Sequence, residues 1–170
     1  MFLTYWHMLL GITVIWIIVR VTVGLINKKV DWKYECKLLT VYASIAIVTR
    51  LVYFPFKCNI LTEKVFVYAS RDIANIINLT PLNCLKERYP GWEINLFGNI
   101  LMFIPVGMSW PFCFKKLDKV WKTVLAGFGY SLFIELTQLF VFGRSTDIDD
   151  LMLNTIGALI GALIFYHICA

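Results

Sequence analysis

The stretch FLTYWHMLLGITVIWIIVRVTVGLI, from Phe2 to Ile26, is apolar along almost its whole length and contains a single Lys or Arg, Arg20. A helix that crosses a bilayer needs about 20 mostly apolar residues. The stretch therefore predicts a membrane-spanning helix. It lacks the basic start and small-residue cleavage site of a secretory signal peptide, so we interpret it as a retained helix.

Four further apolar stretches of similar length follow along the chain. The whole chain of 170 residues is 59% hydrophobic, with a mean hydropathy of +0.73, and a soluble domain of this size could not bury so much apolar surface. We predict an all-α integral membrane bundle of about five transmembrane helices in one domain, 1–170. The four stretches are Leu38 to Phe56, Ile94 to Phe114, Val120 to Phe142, and Ile148 to Ile168.

Lysine is concentrated in two of the connections between the predicted helices. Short cytoplasmic loops carry an excess of Lys and Arg, so we predict that both connections are cytoplasmic, the N-terminus is outside and the C-terminus is cytoplasmic. The first of them completes an N-terminal segment, 1–37, and the long connection 57–93 is the predicted outer loop. Because the +5 net charge follows this topology, we do not expect nucleic-acid binding. The lysines are Lys28, Lys29, Lys33 and Lys37, then Lys115, Lys116 and Lys119 with Lys122 just beyond.

The five cysteines form no Cys-x-x-Cys pair, so the sequence predicts no zinc or redox motif, and we expect no metal and no cofactor. Cys58 and Cys84 both fall in the predicted outer loop. They pair if that loop faces an oxidising compartment. The alternative is that they are separate small apolar residues.

Polar side chains interrupt four of the predicted spans or lie at their ends, mainly on the predicted outer side. Such residues usually face a bundle interior or a water-filled cavity. Residues four apart share one face of a helix, which aligns these side chains along the third, fourth and fifth helices. We therefore predict an outward-opening ligand-binding site formed by Arg50, Asn95, Asn99, Glu135, Gln138, Arg144, Asp147, Asp150 and Asn154. Arg20, near the cytoplasmic end of the first helix, is predicted to extend to the inner surface.

Each of these residues also has a purely structural interpretation. Asn95 and Asn99 are consistent with interhelical hydrogen bonding, worth roughly 1 kcal/mol or less per bond. Asp147 and Asp150 are consistent with capping of a helix N-terminus. Capping does not explain Glu135, which lies inside a predicted span.

Two further patterns have simpler interpretations than ligand binding. Arg50 and Glu135 are candidates for a mutually neutralised buried pair. The Gly-x-x-x-Gly at Gly157 and Gly161 indicates close helix packing.

The acidic run 147–150 superficially resembles a divalent-cation motif, but so short a pattern is a weak signal.

Two runs of the sequence resemble the VanZ family. NLFGNILMFIPVG, Asn95 to Gly107, matches its pattern of Asn-x-x-Gly-Asn followed by Phe-x-Pro-x-Gly, and IELTQLFVFGRSTDIDDLMLNTIGALIG, Ile134 to Gly161, resembles its second block. Weaker similarities are Arg50 ahead of a Pro-Phe pair and the segment Asn78 to Pro81. The resemblance covers roughly Arg50 to Gly161, so we assign 38–168 as the VanZ-like region. It implies a small bacterial cell-membrane protein associated with resistance to teicoplanin and related lipoglycopeptides, but no molecular mechanism.

Three hypotheses follow for the function. In the first, a non-enzymatic protein binds an amphiphile, which is a membrane lipid, a lipid-linked cell-wall precursor or the membrane-anchored antibiotic. Arg50 and Arg144 would then hold an anionic group, and the carboxylates would meet hydroxyls or amines. The second is an intramembrane enzyme with Glu135 or Asp147 as general base, although no nucleophile–base pair is evident. The third is a lipid transporter, disfavoured because five helices show no inverted repeat. The oligomeric state stays open.

Overall fold

The computed structural model describes residues 2–54, 64–66, 77–88, 90–141 and 144–169, and the chain divides into two compact units, Met1–Phe66 and Val67–Ala170. The prediction for Cys58 and Cys84 falls outside the described residues, because Cys58 is in the gap 55–63.

The first unit consists of two long helices and a short two-stranded sheet. Its strands pair in antiparallel fashion, with Leu3 opposite Val65. In chain order the elements are β1 (Phe2–Thr4), α1 (Tyr5–Asn27), α2 (Trp32–Tyr53) and β2 (Lys64–Phe66).

The helix α2 begins at Trp32, earlier than the predicted start at Leu38. Asp31 explains the difference, because its carboxylate accepts hydrogen bonds from the backbone N–H groups of Lys33, at 3.0 Å, and Tyr34, at 3.3 Å. Such a cap satisfies donors that the first turn of a helix leaves unpaired. Part of the predicted cytoplasmic loop is therefore helical.

Arg20 has a partner that the sequence did not reveal. Its guanidinium forms a two-pronged ion pair with the carboxylate of Glu35, in which Nε donates to Oε2 at 2.8 Å and Nη2 to Oε1. Paired planar groups of this kind give the strongest ionic hydrogen bonds. The pair joins α1 to the first turn of α2.

The second unit contains three long helices, one short helix and a two-residue parallel strand pair. Ile77 and Asn78 pair with Thr146 and Asp147. The elements are β3 (Ile77–Asn78), α3 (Asn83–Glu87), α4 (Trp92–Cys113), α5 (Val120–Gln138), β4 (Thr146–Asp147) and α6 (Ile148–Cys169).

The helices α4 and α6 pack closely enough that glycine is required at their contact. A Cβ at Gly157 would collide with the backbone carbonyl of Ile100, and one at Gly161 with that of Ile104. From α4, a Cβ at Gly107 would meet the backbone of Ala158. The prediction of close helix packing at the Gly-x-x-x-Gly is confirmed.

Among the residues that the structure describes, four helices are long and apolar enough to cross a membrane. None of the residues of α1 is fully buried, and large apolar side chains such as those of Leu10, Ile15 and Leu25 are exposed. The helix α5 is outside this group, because Lys122, Glu135 and Gln138 make its 19 residues more polar. The predicted all-α membrane fold is confirmed, and the orientation of the chain ends stays a prediction. The four spans are Tyr5–Asn27, Trp32–Tyr53, Trp92–Cys113 and Ile148–Ile168.

Candidate functional site

Polar side chains from several elements of the second unit are joined by hydrogen bonds around the start of α6. We name this set the polar cluster: Asn78, Asn95, Asn99, Glu135, Asp147, Asp149 and Asp150.

The close packing of α4 on α6 brings two asparagines to one aspartate. The amide nitrogen of Asn99, which is buried, donates to Asp150 Oδ1 at 2.6 Å and to Asn95 Oδ1 at 2.9 Å. Asn95 also forms a side-chain hydrogen bond with Asp150. Both asparagines therefore face the bundle interior, as their spacing of four predicts.

Glu135 is a deeply buried carboxylate of the cluster, with only 2% of its surface exposed, as for Asp149. Its Oε2 accepts a hydrogen bond from the backbone N–H of Asp147 at 3.1 Å, and its backbone carbonyl accepts one from the Thr146 hydroxyl at 2.9 Å. The carboxyl groups of Asp147 and Asp150 are close enough to interact electrostatically with it. Burial of an acid is costly unless hydrogen bonds compensate. The arrangement of these three carboxyl groups concentrates acceptor oxygens in a small volume.

The predicted outer loop contributes to the cluster through two contacts. Asn78 Nδ2 donates to Asp147 Oδ2 at 3.0 Å, and the Leu82 backbone N–H donates to Asp149 Oδ1 at 2.5 Å. Asp147 Oδ1 in turn accepts from the Asp149 backbone N–H at 2.9 Å. These bonds fix the segment 78–82 against the entry to α6.

Residues 14–169 match the profile of the family described as VanZ/LLP1, which is most of the chain. The chain belongs to the VanZ/LLP1 family. Protein VanZ of Enterococcus faecium is 30% identical over 115 residues, which cover 68% of this chain and 64% of that protein. The match thus spans less than two thirds of the relative. No solved structure matches this chain.

The VanZ/LLP1 match extends beyond the region where the sequence resemblance was evident. It begins within α1, whose sequence showed only hydrophobicity, whereas the sequence resemblance began near Arg50 and its two motif blocks later still. Those two blocks, Asn95 to Gly107 and Ile134 to Gly161, lie on α4 and on α5 to α6, and they supply most of the polar cluster.

Four of the predicted site residues of this VanZ/LLP1 chain are not members of the polar cluster. Gln138 is buried near the end of α5, and Asn154 is buried one turn of α6 beyond Asp150. Arg144 lies two residues before β4 and is partly exposed. Arg50 belongs to the first unit, where its guanidinium lies over the Tyr5 ring at 5.5 Å from the centroid. The role of all nine residues in ligand binding stays a prediction.

Asn154, which is buried, has one polar atom paired and one unpaired among the residues described. Its Nδ2 donates to the Ser131 hydroxyl at 2.9 Å, whereas its buried Oδ1 has no hydrogen-bond partner among the residues described. A buried acceptor without a partner costs about 1–3 kcal/mol.

Asp149, Thr146 and Asn78 were not among the predicted binding residues. For Asn78 the only sequence signal was the weaker family resemblance, and for Asp149 it was the acidic run itself. Thr146 gave no sequence signal, because its hydrogen bond to the Glu135 carbonyl depends on β4 lying beside α5. Pairing of β3 with β4 joins segments far apart in sequence, which helical periodicity does not reveal.

The cluster presents mainly carboxylate and amide oxygens, so it is suited to groups that donate hydrogen bonds or carry positive charge. Among the described residues, no group of three or more His, Cys, Asp and Glu side chains has the arrangement of a metal site. Hydroxyl and amine groups of an organic headgroup match this chemistry.

Proposed function

We propose that this membrane protein of the VanZ/LLP1 family raises bacterial tolerance to teicoplanin-type lipoglycopeptides by binding the polar headgroup of an amphiphile at the polar cluster. The amphiphile is a membrane lipid, a lipid-linked cell-wall precursor or the membrane-anchored antibiotic. The observation that supports the proposal best is the grouping of the buried Glu135 and Asn99 with the half-buried Asp147 and Asp150.

The chemistry of the cluster supports an organic headgroup as ligand. Carboxylate oxygens accept hydrogen bonds from sugar hydroxyls and pair with amines, while the amides of Asn95 and Asn99 offer both donors and acceptors. Arg144, close in sequence to Asp147, would hold an anionic group such as a phosphate through its planar guanidinium. Together these groups suit a headgroup with several hydroxyl, amine and phosphate functions.

The predicted topology supports a site on the outer side of a bacterial cell membrane. The lysine-rich connections 28–37 and 115–119 are expected to be cytoplasmic. The start of α6 and the end of α5 are at the opposite ends of their helices from 115–119, so the polar cluster would open toward the outer leaflet.

This location gives a physical reason for selectivity between antibiotics. A glycopeptide that carries an acyl chain partitions into the outer leaflet, with a gain of roughly 0.8 kcal/mol per buried methylene. A protein that opens at that leaflet interferes with the anchored compound, or changes the lipids that it meets. A glycopeptide that remains in water does not enter the outer leaflet, where the site would open.

The test is expression of the chain in a susceptible bacterial host and measurement of the inhibitory concentrations of teicoplanin and vancomycin. We expect a much larger increase for teicoplanin than for vancomycin. Arg144→Ala should abolish the increase while the amount of protein in the membrane stays normal.

Asp118→Asn is the matched control, because Asp118 lies in the connection between α4 and α5, away from the cluster. Its hydrogen bond with Lys122, at 2.6 Å, lowers the pKa of this carboxyl below its ordinary value, so the variant removes a charge that is present at neutral pH. It should keep full protection. Equal protection against both antibiotics would refute the outer-leaflet mechanism, and full activity of Arg144→Ala would refute its place in the site.

A further inference from the structure

The first unit contains a groove of about 650 Å³ beside the turn that joins α1 to α2. Its walls are largely apolar and include Val21 and Leu25 of α1, Val30 of the turn, and Trp32 at the start of α2. Leu25 and Trp32 have 73% and 77% of their surface exposed. A volume of this size is within the range of about 300–1,000 Å³ that holds organic ligands.

Positive charge borders this groove. Arg20 also lines it, but its charge is matched by Glu35 in the ion pair between the two helices. The carboxylate of Asp31 is engaged by the first backbone N–H groups of α2. Among the residues that line the groove, the charge left unmatched is that of Lys28 and Lys29, and within the described part of the chain neither lysine forms an ion pair.

Gly24 keeps the groove open on the side of α1. It lines the groove, and a Cβ at this position would lie 3.4 Å from a methyl group of Val30. A longer side chain would extend from there into the space between Val21 and the turn. The groove thus combines an apolar channel at the end of a membrane-spanning helix with two ammonium groups at its mouth.

We propose that this groove binds one anionic phospholipid of the surrounding leaflet, with its phosphate held by Lys28 and Lys29 and an acyl chain lying along Val21, Leu25 and Trp32. Basic residues next to a spanning helix attract anionic lipids, and tryptophan is favoured at the level of the headgroups. The occupant is a lipid rather than a soluble anion because the apolar walls extend beyond the reach of a phosphate.

The test reconstitutes the full chain in vesicles with Trp32 as its single tryptophan, the other five being replaced by phenylalanine. Fluorescence quenching is compared between phosphatidylglycerol and phosphatidylcholine carrying the same brominated acyl chains. Phosphatidylglycerol should quench at the lower mole fraction. Each lysine contributes about a five-fold preference for phosphatidylglycerol over phosphatidylcholine at low salt. Lys28→Gln should therefore reduce that preference by roughly five-fold. Added salt should reduce it as well.

Two further variants separate the groove from general surface charge. Lys115→Gln removes one lysine, as Lys28→Gln does, but from the other basic connection, and should leave the preference unchanged. Gly24→Leu keeps both lysines of the groove but fills it, and should remove the quenching advantage. Equal quenching by the two lipids would overturn the proposal, as would an unchanged preference in Gly24→Leu.

A second measurement covers the case in which the single-tryptophan chain does not fold. Mass spectrometry of the wild-type protein released from mixed vesicles should find phosphatidylglycerol retained in preference to phosphatidylcholine. The combined variant Lys28→Gln and Lys29→Gln should lose that preference. Retention of both lipids in the proportion present in the vesicle would overturn the proposal.

Discussion

Replacement of Gly157 by alanine adds one methyl group where α6 lies against α4. Its Cβ would collide with the backbone carbonyl of Ile100 and lie 3.0 Å from the Cβ of Phe103. A backbone carbonyl cannot rotate away as the end of a side chain can, so the two helices must separate. This separation would also lengthen the hydrogen bond between Asn99 and Asp150, whose atoms are now 2.6 Å apart.

The magnitude follows from two opposing contributions. Overpacking of a close contact costs roughly 1–3 kcal/mol. The change from glycine to alanine inside a helix returns about 0.5–1 kcal/mol. We therefore expect Gly157→Ala to lower the free energy of unfolding by about 1 kcal/mol, and by no more than about 2.5 kcal/mol, measured by denaturant titration in bicelles.

Gly98→Ala is the matched control in α4, because no atom lies within 4 Å of the position of its added Cβ. It should leave stability unchanged or raise it by up to about 1 kcal/mol. The two variants make the same chemical change, so only packing distinguishes them. Wild-type stability in Gly157→Ala, or an equal loss in both variants, would refute the close approach of α4 and α6.

Three further predictions address topology, chemistry and the first unit. In intact cells, an impermeant thiol reagent should label Cys84 after reduction but not Cys36, and labelling of Cys36 would invert the predicted orientation. For Glu135, a binding role predicts that Gln preserves more protection than Ala, since it keeps much of the shape and hydrogen bonding. Complete loss with both variants at normal protein levels would favour a catalytic base. A double-mutant cycle of Arg20→Ala and Glu35→Ala should give a coupling of about 1 kcal/mol that falls with added salt, and no coupling would contradict the ion pair.

The membrane fold was predictable because hydrophobic length is a local property of the chain. The spans of α4 and α6 were predicted to within a few residues, and the alignment of Asn95 with Asn99 followed from helical periodicity. The early start of α2 was not predicted, because the lysines around Asp31 indicated a cytoplasmic loop and the capping role of Asp31 was not recognised.

The contacts that complete the polar cluster were harder to predict from the sequence. Asn78 reaches Asp147 through a two-residue strand pair between segments that are distant in sequence. Nothing in local periodicity specifies such a pairing. The ion pair of Arg20 with Glu35 was missed for a related reason, since Glu35 was assigned to a loop rather than to the first turn of α2.

The central claim is that the polar cluster holds the headgroup of an amphiphile. Its most direct test is an experimental density map of the protein purified from bacterial membranes without delipidation, together with a map of Asp150→Asn. We predict headgroup density within hydrogen-bonding distance of Glu135 and Asp150, and its loss or weakening in the variant. Carboxylates bonded only to protein groups, with headgroup density confined to other faces of the helices, would contradict the claim.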